Sequence, residues 1–259
     1  MEFIPTNLYY PESEKEKLRQ IKTLFKKWYK YFKGKKFVKN KTANKMVFDG
    51  FYPYYFSQKR KVLFIGIESY LIEYYNYISY AFDAYKKNYI GDLHINRHSI
   101  HRRMIKIAYG LSNSFLEFQK IPKASEITEQ FGTSNGVSFA FMNISKFSNE
   151  SGGSKADWEL IDSSIAASSN KGDNFILNEI DILEPDIVIT MNLGKYDKLS
   201  VLGKMNEIFR SDEVYAFNFN TQSKNNILLL DTFHFSARSK ADENDFYGPI
   251  VKVVKKYSK

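Results

Sequence analysis

Residues 61–70 read "KVLFIGIESY". From Val62 to Ile65 the run has no polar interruption, and Gly66 closes it. A half-exposed strand alternates apolar with polar residues, whereas an unbroken apolar run suits a strand covered on both faces, as in a parallel sheet. Comparable runs recur at 137–143 (VSFAFMN), 186–192 (DIVITMN), 214–219 (VYAFNF) and 226–231 (NILLLD). Helix-length patterns separate most of them: LIEYYNYISYAFDAYKK and RRMIKIAYGLSNSFLEF after the first, DNFILNEIDILEP before the third, KYDKLSVLGKMNEIF after it. The tail, DFYGPIVKVVKKY, predicts a last helix with Gly248 and Pro249 in its first turn. Strands alternating with helices predict an α/β fold in three α/β/α layers around a mostly parallel central sheet.

Upstream of this pattern, Ser13 and Glu16 have capping-box spacing, and Leu18, Ile21, Phe25, Trp28 and Phe32 recur at helical intervals. A helix over 13–32 follows, then a basic loop (KGKKFVKNKTANK) and an irregular aromatic connection (FDGFYPYYFSQ). Residues 1–59 thus read as an N-terminal helix and basic aromatic extension packed on the core, and residues 60–259 as one α/β domain. No internal repeat and no linker divides the chain further.

Composition narrows the function classes. The 259 residues are 43% hydrophobic and 17% aromatic, enough for one substantial core. No stretch approaches the ~18–20 apolar residues of a membrane span. The start, MEFIPTNLYYPESEKEK, has no basic-then-apolar leader pattern, so a cytoplasmic protein without a membrane partner is expected. With no cysteine, the chain has no disulfide, thiolate metal site, catalytic thiol or cysteine-held iron–sulfur cluster. The net charge is +9, and between Lys26 and Lys45 nine lysines stand without an acid, interleaved with Trp28, Tyr29, Tyr31, Phe32 and Phe37. Such a segment fits a phosphate backbone and stacked bases, and equally a solvated helix face whose aromatics point inward.

In open α/β sheets, ligands bind beyond the carboxyl ends of the strands. Those ends carry Glu68 (GIESY), Asn143 (FMNIS), Asn192 (MNLG) and His234 (DTFHFS). An acid, two amides and an imidazole are thereby expected on one rim.

These motifs, in this order, resemble the uracil-DNA glycosylase superfamily over residues 60 to 258. Gly66, Ile67, Glu68, Ser69 and Tyr70 fall on its first motif, Gly-x-Asp-Pro-Tyr or Gly-x-Asn-Pro-Gly; Asn143 falls on the asparagine that ends its middle strand. LEPDIVITMNLG is similar to its leucine-x-proline, apolar strand and glycine, and HFSARS at 234–239 to its His-Pro-Ser-Pro-x-Ser. The chain departs from the pattern at Ser69, Phe235 and Ala237, each in place of a proline, and Glu68 stands at the aspartate position.

The resemblance implies a metal-independent DNA glycosylase without cofactor that removes uracil or a modified pyrimidine from single- or double-stranded DNA. Glu68 would orient or deprotonate water and stabilise the sugar cation, and His234 would donate to the departing base oxygen. A neutral imidazole can do so if Ser236 or Asp231 orients its other nitrogen. Gly66, Ile67, Tyr70 and Asn143 would line the base site, with Tyr70 crowding the 5-position and Asn143 reading the base edge. Ser69, Ser236, Arg238 and Ser239 would meet the DNA strand. A monomer is expected. The alternatives are a weakened glycosylase-fold protein acting as a nucleic-acid-binding module, and an α/β enzyme acting on a nucleoside or nucleotide.

Two further segments carry candidate chemistry. His94, His98 and His101 have the spacing of one helical face, but Arg97, Arg102 and Arg103 surround them, which favours a phosphate-touching surface patch over a metal site. SNESGGSKADW, at 148–158, reads as a flexible loop and lacks the lysine-serine/threonine pair of a phosphate-binding P-loop.

Overall fold

The computed structural model describes residues 2–152, 155–170 and 172–258. Its central sheet has seven strands: β1 (Gly50–Phe51), β2 (Val62–Gly66), β3 (Ala140–Asn143), β4 (Ile187–Met191), β5 (Met205–Arg210), β6 (Val214–Phe219) and β7 (Ile227–Thr232). They lie in the order β1-β3-β2-β4-β7-β6-β5. The inner four, β3-β2-β4-β7, are parallel, with Leu63 opposite both Ala140 and Val188. β1 and β6 run antiparallel to their neighbours.

Among the described residues, seven α-helices accompany the sheet: α1 (Lys15–Lys33), α2 (Tyr77–Lys87), α3 (Ser99–Ser112), α4 (Ala124–Glu129), α5 (Trp158–Ser168), α6 (Phe175–Leu183) and α7 (Gly248–Tyr257). Alternate residues of the buried strands divide the core between two faces. Val62 and Phe64 join a cluster with Ile78, Met104, Ile127 and Val254 from α2, α3, α4 and α7. Leu63 and Ile65 join a second cluster with Trp28, Ile161 and Ile180 from α1, α5 and α6. This is the three-layer α/β/α arrangement. Among the described residues, no helix is long and apolar enough to cross a membrane.

Four local expectations are corrected. The Ser13 capping box does not form: α1 begins at Lys15 after a short 3-10 turn. Glu14 is buried instead, and its carboxylate accepts the backbone N–H groups of Tyr54 (2.8 Å) and Phe56 (2.7 Å), fastening the helix start to the turn before β2. The segment KYDKLSVLGKMNEIF forms two 3-10 turns and then β5, not a helix. Pairing with β6 outweighed its helical spacing, so β5 and β6 make an antiparallel hairpin at the sheet edge. Third, α2 starts only at Tyr77, where Asn76 caps it by accepting from the N–H groups of Ile78 and Ser79. Fourth, the aromatic connection contributes β1, so the segment before residue 60 supplies both an edge strand and a layer helix, α1, which packs on α6.

Candidate active site

Among the inner four parallel strands, chain order across the sheet is second, first, third, fourth, so the crossovers reverse direction between β2 and β4. A crevice opens outside the carboxyl ends at such a reversal. Glu68 lies just past β2, Asn192 just past β4, Asn143 ends β3 and His234 follows β7. With neighbouring strands about 4.8 Å apart, the ends of β2 and β7 are separated by roughly 10 Å across the end of β4.

The rim is built in two clusters. In the first, residues 66–70 and 143–149 zip together: Ile144 N–H donates to Gly66 O (3.1 Å), Ser145 N–H to Ile67 O (2.9 Å) and Asn149 N–H to Ser69 O (2.9 Å). A Cβ on Gly66 would lie well inside van der Waals contact with Asn143 Oδ1, so the Asn143 side chain would have to shift. Gly66→Ala is expected to cost about 1–3 kcal/mol through this overpacking, read as a lower urea midpoint at unchanged slope. Glu68 Oε1 accepts from Asn149 Nδ2 (3.0 Å) and from Asp157 N–H (3.2 Å), while Oε2 is enclosed without a partner. Burial pushes the Glu68 pKa up, and the bonds from Asn149 and Asp157 oppose that shift. Asn143 is buried, its Nδ2 unpartnered, and its backbone N–H donates to Asp49 Oδ2 (2.8 Å). Ile67 sinks its side chain into the core, Ser69 is buried with its hydroxyl unpartnered, and Tyr70 projects outward.

The second cluster surrounds His234. Ser236 N–H donates to His234 Nδ1 (3.2 Å), and Ser236 Oγ lies 2.7 Å from the same nitrogen. With Nδ1 accepting, this pattern assigns the ring proton of the neutral imidazole to Nε2. Burial lowers the His234 pKa, and the positive Arg103 lowers it further. Asp231 does not orient the ring. Its buried carboxylate accepts from Thr190 Oγ1 (2.5 Å), Leu193 N–H (2.9 Å) and Gly194 N–H (2.9 Å), shaping the loop after β4.

The loop bearing His234 is held by Arg103 of α3, which is buried. Its guanidinium donates to the carbonyls of Phe235, Ala237 (3.1 Å) and Lys240 (2.7 Å) and to Asp242 Oδ1 (2.8 Å). Phe235, where the family pattern has proline, is fully buried and packs edge-on against Phe64 and Phe246. For Arg103→Leu the amides of 235–241 should exchange faster, with strand amides still protected, as read by hydrogen–deuterium exchange. Arg103 was not legible as a scaffold residue, because its partners are 132 to 139 positions away.

The histidine patch does not form as expected. His94 sits in a two-residue strand and His98 precedes α3, so only His101 is helical. His101 is buried, with Nδ1 2.7 Å from Tyr85 Oη, and burial lowers its pKa well below the usual range. Arg102 is occupied with Asp242. Arg97 and Arg238 are exposed and make no ion pair among the described residues. Both line a groove of about 550 Å³ with His98, Ser236 and Lys240, directly beside His234. Ser239 is exposed in the same loop. A larger groove, about 730 Å³, lies at the opposite end of the sheet by Asp186 and Asn226. Glu68, Asn143 and His234 stand at the other end, so size alone does not locate the site. Gly153 and Ser154 of the 148–158 loop lie outside the described residues. Among the described residues, no group of three or more His, Asp or Glu side chains is placed to hold a metal.

One network escaped sequence reading altogether. Lys146 is completely buried, with Nζ 2.6 Å from Asp49 Oδ1 and 2.9 Å from Glu179 Oε2 and lying over the Trp28 ring. Asp49 links this network to Asn143 through its second oxygen. Compared with known proteins, the chain matches no protein-family model and no curated protein.

Proposed function

We propose that this chain is a DNA glycosylase that hydrolyses the N-glycosidic bond of uracil or a modified pyrimidine. The observation that carries the reading is a set of rim groups fixed in place with unused bonding capacity: Glu68 Oε2, Asn143 Nδ2 and His234 Nε2. Buried polar atoms are normally satisfied, and a flipped base with its attacking water supplies the missing partners. As the glycosidic C–N bond breaks, its electron pair passes to the base, and His234 Nε2–H bonds the oxygen where charge develops. Glu68 stabilises the sugar cation and takes a proton from water, whose hydroxide adds to the sugar carbon. Asn143 Nδ2 donates to the base edge, and Arg97 and Arg238 meet the flanking phosphates.

Support comes from the carboxyl-end location, the neutral Nε2–H tautomer and the basic groove beside it. The second reading, binding without catalysis, is favoured by the absence of any hydrogen bond between the Glu68 and His234 clusters among the described residues. Base release from oligonucleotides containing uracil, thymine or modified cytosines, scored by alkaline cleavage of abasic sites, separates the two. Product from wild type that disappears in Glu68→Gln and His234→Ala supports the glycosylase. Retained DNA binding with no product from any substrate supports the binding module.

A further inference from the structure

The segment after Glu68 displays four large apolar side chains to solvent: Tyr70 is 49% exposed, Leu71 52%, Tyr74 55% and Tyr75 61%. The backbone beneath them is pinned. Leu71 N–H donates to Asn149 O (3.2 Å), Ile72 N–H to Ser148 Oγ (3.0 Å), and Tyr77 N–H to Phe48 O (2.6 Å). Ile72 is buried, and Glu73 is clamped between Lys41 and Lys45. Leu71 (φ 52°) and Tyr74 (φ 72°) occupy the left-handed region, which bulky L residues rarely adopt. Such conformations persist where surrounding bonds over-determine them, and they cluster at binding sites. The backbone that carries these side chains is therefore held in place.

We propose that Tyr70, Leu71, Tyr74 and Tyr75 form a stacking platform for the bases of a single-stranded nucleic acid that runs into the Glu68 rim. This deepens the proposed function and rests on its nucleic-acid reading. Charge complementarity selects the occupant. Lys45 Nζ lies 5.7 Å from the centre of the Tyr74 ring, and the platform adjoins the lysine-rich segment of a chain with net charge +9. Aromatic faces beside ammonium groups match bases joined by phosphates, and stacking tolerates every base. A duplex hides its base faces, so it engages the lysines without the rings. A lipid surface also accepts tyrosines bordered by cations and is the competing outcome of the test.

The test is fluorescence anisotropy of the full chain with end-labelled oligothymidylate, oligouridylate and a duplex, each about a dozen nucleotides long. Tyr74→Ser/Tyr75→Ser is expected to weaken single-strand binding at least about tenfold, while duplex affinity changes less than about twofold. Tyr74→Phe/Tyr75→Phe, which keeps the rings, is expected to retain wild-type affinity. Both variants should melt with the wild type, since the rings they alter face solvent. Equal affinity of the serine variant, no single-strand binding by the wild type, or preferential binding to phosphatidylcholine vesicles would overturn the platform. Oligothymidylate and oligouridylate separate DNA from RNA as the source of the strand. Binding is read on oligothymidylate, which needs no base release. Loss of glycosylase activity with this binding intact therefore sinks the catalytic reading alone.

Discussion

Lys146→Met is expected to destabilise the protein by about 3–5 kcal/mol, because it leaves the Asp49 and Glu179 carboxyl groups buried without their cation. In a thermal melt this corresponds to a Tm lower by roughly 6–20 °C. Burial, and then the nearby Asp49, push the Glu179 pKa well up, while the Lys146 ammonium pulls it down. Burial opposes the Lys146 charge, but Asp49 and Glu179 outweigh it and raise the ammonium pKa above the ordinary 10.5. The Lys146 contribution is therefore complete below about pH 10.5 and is lost as pH rises through the higher folded value. The double variant Asp49→Asn/Lys146→Met should recover much of the loss. Recovery absent from a urea titration of the double variant would mean that the ammonium stabilises through its ring contacts and not as a counter-charge.

Glu68→Gln is expected to slow base release by about 10²–10⁴-fold and His234→Ala by about 10²–10³-fold, measured in single turnover. Neither should lower Tm appreciably, since Glu68 leaves one oxygen unpartnered and, among the described residues, the His234 side chain bonds only Ser236. The pH profile gives a separate check. The reaction needs ionised Glu68, whose pKa is raised, and neutral His234, whose pKa is lowered. Rate should thus fall on acidification, with the carboxylate limb above the ordinary glutamate value of 4.5 and the imidazole limb below the ordinary 6.5. An acid limb that persists unchanged in Glu68→Gln would assign that titration to another group.

Much of the fold was legible because it rests on local pattern. The apolar runs at 62–65, 187–191 and 227–231 are buried inner strands, and the tail helix begins at Gly248–Pro249. The run at 214–219 is a strand too, but it turned out antiparallel, since apolar content reports burial and not direction. KYDKLSVLGKMNEIF misled because helical spacing in a short segment competes poorly with an available strand edge. At the site, the rim positions of Glu68, Asn143 and His234 followed from strand ends. Ser236 as the orienting partner was one of two readings open in the sequence; the structure chose it and gave Asp231 to the loop after β4.

By itself, then, the sequence determined the layer class, the inner strands and which polar residues stand at their carboxyl ends, because hydrophobic period and strand ends are properties of neighbouring residues. Tertiary structure alone decided the strand order, the burial of His101, the Arg103 staple and the Lys146 network. Each of those depends on groups far apart in the chain whose charge and hydrogen bonding are set only when burial removes water from around them.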